Sequence, residues 1–108
     1  MIISTTFDIT GRTITQHLGL VRGNVVRSRF IGRDIVAGLR MIVGGEIHEY
    51  TQMLEEARRH AIDRMVANAT EMGANAIIVM RFDSSEIGET MSEIVAYGTA
   101  VVIEPVAV

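Results

Sequence analysis

The sequence predicts an α+β fold in which an antiparallel sheet carries one short and one long helix. Residues 46–72 run without proline or glycine and repeat apolar or small side chains at steps of three and four, which is the period of a helix. Residues 76–82 follow as a dense apolar run typical of a buried strand. Residues 12–26 and 92–104 alternate as strands do. The predicted order is β-α-α-β-β after a short N-terminal edge strand.

The N-terminal part of the chain predicts two strands. Residues 2–6 suit a short edge strand, although a serine and two threonines specify it weakly. Residues 12–26 suit a long strand, with Ile14, Leu18 and Leu20 expected on one face.

Three glycines mark special backbone positions. Gly19 and Gly23 lie inside the long strand, where glycine indicates a bulge or the close approach of another backbone. Gly73 follows the long helix and suits the left-handed residue that closes a helix.

The remaining segments complete the predicted order. Residues 30–43 repeat apolar side chains at helical spacing and predict a short amphipathic helix. Residues 83–89 are polar and predict a loop. Residues 92–104 are apolar or small on both faces, as in a strand that is covered on both sides. With no internal repeat and no linker, the chain of 108 residues predicts a single domain spanning residues 1–108.

The composition predicts self-association. Apolar residues make up 48% of the chain, and a domain of this size leaves a large share of its surface in water. An exposed apolar patch is therefore expected, and such patches mark interfaces. The arginines crowd the first half and several glutamates the last quarter, so opposite charges could pair between identical subunits in a ring.

Several classes of function are disfavoured by composition. The chain has no cysteine, which excludes thiolate chemistry and makes a cytoplasmic location the expectation. A net charge of -3 argues against nucleic acid as a partner. No uninterrupted apolar run approaches the ~20 residues of a membrane span, and the first residues lack the pattern of a signal peptide.

The candidates for a metal site are few. His17, His48 and His60 are widely separated along the chain. Glu56 and His60 are four residues apart on the long helix, which puts two possible ligands on one face, whereas a structural site usually needs four. Asp83 and Glu86 form a further acidic pair, for which a polar turn is the simpler interpretation.

One charged cluster is the candidate for binding an anion. Arg33, Asp34 and Arg40 fall on the predicted short helix, with the two arginines seven residues apart along one flank. Arginine suits bidentate pairing with a carboxylate, within a protein or on a ligand. The cluster therefore predicts either ion pairs, including pairs to a neighbouring subunit, or a site for a small anion.

Over its whole length the chain resembles the YbjQ-like family of small bacterial and archaeal proteins. The resemblance rests on Ser4-Thr5-Thr6, Arg33-Asp34, Ala37-Gly38, Arg40, Ile42-Val43-Gly44-Gly45, Tyr50, Ala57-Arg58, Gly73-Ala74-Asn75-Ala76 and Gly98-Thr99-Ala100-Val101. It implies a dodecin-like α+β subunit that assembles as a homopentamer. It also brings the family's heavy-metal-binding label, without a ligand motif that can be matched residue by residue.

Two functional hypotheses follow. The first is a non-enzymatic, ring-forming protein that binds a small ligand or a metal ion, with no cofactor specified by the residues. The second is an enzyme whose site is assembled between subunits, so that one chain shows no complete catalytic motif.

Overall fold

The computed structural model describes residues 1–28, 48–88 and 91–106. They form, in chain order, strands and a helix whose bounds are β1 (Ile2–Ile3), β2 (Arg12–Ser28), α1 (His48–Glu71), β3 (Ala76–Ile87) and β4 (Met91–Pro105). The strands make one sheet in the order β1-β3-β4-β2, and α1 lies across one face of it, mainly on β2 and β4. The α+β class is confirmed. The short helix predicted at residues 30–43 lies outside the described residues.

The sheet is mixed, so the prediction of a purely antiparallel sheet was wrong. β4 pairs antiparallel with both β2 and β3, but β1 pairs parallel with β3 through Ile2–Ala76 and Ile3–Ile77. A strand of two residues carries too little pattern to specify its partner or its direction.

The loop predicted at residues 83–89 was also wrong over most of its length. β3 continues to Ile87 and stays paired with β4, from Asp83 opposite Val95 to Ile87 opposite Met91. The side chains of this extension are exposed. Its polar composition therefore reflects contact with solvent and not the absence of pairing.

Two register shifts in β2 decide which side chains reach the core. The shifts fall between Ile14 and Gln16 and between His17 and Gly19, where Gly19 has a φ of +110°. Leu18 packs against the helix-facing core, Ile14 packs on the opposite face, and Leu20 is 69% exposed. Each extra residue reverses the alternation, so two shifts cancel and Leu20, opposite Thr99, returns to the face of Ile14, opposite Ile103. The prediction of one shared face was wrong for Leu18, which packs on the helix side.

α1 packs unusually close to β2. Its inward positions are fully or almost fully buried and mostly small: Ala57, Ala61, Met65 and Ala69. A Cβ atom added at Gly23 would lie 2.2 Å from both the Ala61 carbonyl oxygen and the Met65 nitrogen. The close backbone approach predicted from Gly23 is confirmed.

The side chain of Asn75 joins the end of α1 to the sheet by exchanging hydrogen bonds with β4, as the backbone of a strand would. Gly73 has a φ of +89°, as a closing glycine requires. Asn75 Nδ2 donates to the Ile103 carbonyl oxygen at 2.9 Å, and the Ile103 nitrogen donates to Asn75 Oδ1 at 2.7 Å. The amide group thus pairs with β4 one position before β3 begins.

The described residues cover the far side of the sheet at one end. Ile9, Ile14 and Val79 pack there on a buried cluster made by Ala76, Ile78, Val101 and Ile103. The expectation that β4 is covered on both faces holds for this end. Further along β4, Tyr97 is 37% exposed. In the described part of the chain, no helix combines the length and hydropathy needed to cross a membrane.

We expect Gly23→Ala to lower the free energy of unfolding by about 3 kcal/mol, because a methyl group cannot fit between β2 and the backbone of α1. Urea denaturation followed by circular dichroism measures the change. Gly73→Asn is the control: the site is open, and because asparagine tolerates a left-handed backbone the cost should stay below about 1 kcal/mol. Equal effects of the two substitutions would contradict this account of Gly23.

Candidate functional site

The arginine cluster proposed for anion binding lies outside the described residues. This applies to Arg33, Asp34 and Arg40 alike, so the predicted anion or inter-subunit site stays a prediction. The side chain of His48 also lies outside the described part of the structure.

Glu56 and His60 both lie on the exposed surface of α1. His60 has a partner on the neighbouring strand, since Arg27 Nη2 lies 2.8 Å from His60 Nδ1. A guanidinium can only donate, so Nδ1 accepts and the neutral ring carries its proton on Nε2. Nδ1 of His60 is therefore already engaged, so the Glu56/His60 pair can offer a metal only the Glu56 carboxylate and the Nε2 atom of His60.

The other candidate ligands do not converge. His17 is exposed on β2, opposite Val101. Asp83 and Glu86 are three residues apart on a strand, so alternation directs their side chains to opposite faces of the sheet. Among the described residues, no group of three or more His, Asp or Glu side chains is placed to hold a metal ion.

A cleft of about 480 Å³ opens between α1 and the far end of β3 and β4. Among its lining residues, Leu54 and Phe82 supply apolar surface, Arg58 supplies a positive charge, and Ser84 and Ser92 supply hydroxyl groups. No histidine lines it in the described part of the chain. Asp83 and Glu86 line the same cleft, which can hold a small polar molecule.

The two long outer strands leave backbone groups unpaired. β1 covers only the start of β3, so from Arg81 to Ile87 the outer edge of β3 has no strand beside it among the described residues. The Ser84 nitrogen donates to its neighbour Asp83 Oδ1 at 2.9 Å, which shows that this N–H is not used in pairing with β4. The exposed extension of β3 is therefore an open edge.

β2 is the other edge of the sheet, and it differs in charge. It carries Arg12, Arg22 and Arg27 and no acidic residue, whereas the open part of β3 carries Asp83 and Glu86 beside a single arginine, Arg81. Part of the β2 edge is capped from within the subunit. Arg64 Nη1 donates to the Asn24 carbonyl oxygen at 2.7 Å, and Asn68 Nδ2 donates to the Arg22 carbonyl oxygen at 2.8 Å. Sequence spacing does not show which strands lie at the edges, so it missed this feature, although the asymmetry of charge along the chain pointed toward it.

Comparison with known proteins decides the family. The model of the YbjQ family, described as "Putative heavy-metal-binding", matches residues 1–104. The chain belongs to the YbjQ family. This confirms the resemblance that the sequence shows.

Relatives and a solved structure agree with this membership. The chain is 70% identical over 105 residues to a UPF0145 protein of Bradyrhizobium sp. (strain ORS 278), covering 97% of this chain and 95% of that one. It is 59% identical over 104 residues to a UPF0145 protein of Dehalococcoides mccartyi, covering 96% and 100%. A crystal structure of a DUF74-family protein from Pediococcus pentosaceus matches with a TM-score of 0.63 at 18% identity, covering 96% and 98%. At that identity, the likeness shows the fold alone.

We expect this YbjQ-family protein to retain no stoichiometric transition metal after mild chelation. Thiolates are absent, and one nitrogen of His60 already accepts a hydrogen bond from Arg27. Elemental analysis together with native mass spectrometry measures metal content and oligomer size on one sample. About one zinc, copper or nickel ion per chain would contradict the expectation, and loss of that ion in His60→Ala would place the site on α1.

Proposed function

We propose that this protein is a non-enzymatic, ring-forming oligomer that binds a small ligand or a metal ion. The observation that carries the proposal is the pair of unlike outer strands: β3 presents an open edge with two acidic residues and one arginine, and β2 an edge whose charged residues are all arginines. An unpaired edge is a template for another strand, and closure into a ring is one way to remove it.

The difference in charge favours a head-to-tail contact, in which β3 of one copy meets β2 of the next. A contact between two copies of β2 would bring arginines together, and like charges facing each other are unfavourable. A head-to-tail contact repeats around a closed ring. Because Arg64 and Asn68 already occupy two carbonyl groups of β2, the contact uses the remaining outward groups of that strand.

The stoichiometry and the ligand rest on different support. The number of five subunits and the dodecin-like form of each subunit are both implied by the family resemblance. The heavy-metal label comes from the family description. No cluster of ligands forms among the described residues, so a metal would need groups from a neighbouring copy or from the rest of the chain. The cleft beside Arg58 supports the small-ligand form of the proposal.

The second candidate is an enzyme with a site completed by a neighbouring subunit. It is favoured by the serine hydroxyls in the cleft, where Ser92 is half-buried and Arg58 lies on the opposite wall. A histidine of a second copy placed against Ser92 in the assembled structure would support this candidate over the first.

Sedimentation velocity tests the assembly directly. We expect the wild-type protein to sediment as a closed oligomer at micromolar concentration. Ser84→Pro should shift it toward monomer, because proline removes an outward N–H from β3 while the ladder with β4 keeps its hydrogen bonds.

The matched control is Ser84→Ala, which keeps the N–H at the same exposed position and should leave assembly unchanged. A wild-type monomer with native circular dichroism would overturn the ring. An unaltered oligomer in Ser84→Pro would show that the edge of β3 is not the contact.

A further inference from the structure

Among the described residues, nothing packs over the central part of the sheet face opposite α1. Ile94, Ala96 and Ala100 of β4 lie in the helix-facing core, so alternation directs Tyr97 to the other face. Val21 and Val25 of β2 belong to the same core, so Arg22 between them is directed to the open face as well.

The strand register places three of these open-face residues in one row. Tyr97 is the partner of Arg22 on β2 and of Arg81 on β3. Residues directly opposite in antiparallel strands have Cβ atoms about 5 Å apart, so the Cβ atoms of the two arginines stand about 10 Å apart with that of Tyr97 between them. We call Arg22, Tyr97 and Arg81 the arginine–tyrosine row.

Arg81 is held in place by neutral partners. Its Nη1 donates to the Thr5 carbonyl oxygen at 3.0 Å and to the Met80 carbonyl oxygen at 2.8 Å. Carbonyl oxygens orient the guanidinium but do not neutralise its charge. Arginine has five N–H donors, and among the described residues no group accepts from the Nε and Nη2 of Arg81. These N–H groups are therefore available to a ligand.

Arg22 is fixed at its backbone and free at its side chain. Its carbonyl oxygen accepts from Asn68, but within the described part of the chain its guanidinium makes no hydrogen bond or ion pair. The Tyr97 hydroxyl also has no partner in that part. Within the described ranges, two guanidinium groups without an acidic partner thus lie beside an exposed tyrosine, on a protein whose net charge is -3.

The acidic groups of the same face limit the size of what can bind. Asp83 lies one row further along, opposite Val95, and Glu93 lies opposite Ser85 and Val26. Asp83 Oδ1 accepts from the Ser84 nitrogen, and Glu93 Oε2 accepts from Asn24 Nδ2 at 3.3 Å. An extended polyanion would meet these carboxylates, whereas a compact anion at the row would not.

We propose that the arginine–tyrosine row binds a small aromatic anion, with its ring stacked on Tyr97 and its carboxylate or phosphate held by Arg22 and Arg81. Guanidinium groups match carboxylate and phosphate in bidentate geometry, and a tyrosine face offers a flat apolar surface. This deepens the small-ligand part of the proposed function. It does not require that the ring be closed.

Calorimetric titration of the full chain tests the proposal with chosen probes. Phenyl phosphate and benzoate should bind saturably, while cyclohexanecarboxylate, which lacks the aromatic ring, and benzyl alcohol, which lacks the charge, should bind at least about tenfold more weakly. Inorganic phosphate should bind more weakly than phenyl phosphate. No saturable heat with either aromatic anion at millimolar concentration would overturn the proposal.

Substitutions test whether binding takes place at the arginine–tyrosine row. Arg22→Gln and Arg81→Lys should each weaken phenyl phosphate by at least about fivefold, because each removes a guanidinium fork. Tyr97→Leu should abolish the preference for phenyl phosphate over inorganic phosphate. Arg59→Gln, an exposed arginine on α1, is the matched control and should bind as the wild type does.

Each variant is also followed by thermal unfolding and sedimentation, which separate loss of the site from loss of the fold or of the ring. A monomer that still binds phenyl phosphate would refute the ring and leave the row intact. Equal weakening in Arg59→Gln, or open-face amides that exchange slowly because a second copy covers them, would refute the row.

Discussion

The contact between α1 and β2 at Gly23 is the constraint on which the rest of the structure depends. Because Gly23 has no side chain, the helix backbone approaches the strand at a distance that a Cβ atom would forbid. Arg64 and Asn68 then donate to the carbonyl groups on either side of that glycine. The same contact therefore sets the distance between the layers, fixes the helix along the strand and caps part of an edge.

The helix covers one face of the sheet closely, and the described residues leave part of the other face exposed. The helix-facing core is made of side chains that are small or fit closely, such as Ala61, Ala96 and Ala100, so little space remains there for a ligand. The unpaired edge of β3, the basic residues of β2 and the row around Tyr97 all lie at the edges or on the opposite face. The proposed edge contact and the arginine–tyrosine row therefore use parts of the sheet that the helix leaves free, whereas the cleft beside Arg58 lies on the helix side.

One residue of β3 has a strained backbone and is hydrogen-bonded to the N-terminal segment. Val79 has a φ of +53°, a conformation that a β-branched residue adopts at a cost of about 1–3 kcal/mol. The N-terminal segment offsets the strain: the Val79 nitrogen donates to the Thr6 carbonyl oxygen, and the Met80 nitrogen donates to the Ser4 carbonyl oxygen. These bonds give Ser4 and Thr6 a structural role, and Arg81 follows directly after the register shift that β3 shows between Ile78 and Arg81.

The sequence by itself determined the fold class, the long helix, the long strands β2 and β4, the first part of β3, and the special roles of Gly19, Gly23 and Gly73. Each of these follows from local spacing or from the backbone freedom of one residue, and both act over a few positions of the chain. Short motifs spread along the whole length also predicted the family, which the family model confirms.

Only the tertiary structure decided the features that depend on register between distant segments. The register shifts in β2 put Leu18 on the opposite face from Ile14 and Leu20, and pairing with β4 made a polar stretch the edge of β3. His60 acquired Arg27 as a partner 33 positions away, and Tyr97 came to lie between Arg22 and Arg81 through two separate strand pairings. A sequence pattern records the period of each strand but not its alignment with the next. Which side chains meet on a sheet is therefore settled only when the strands pair.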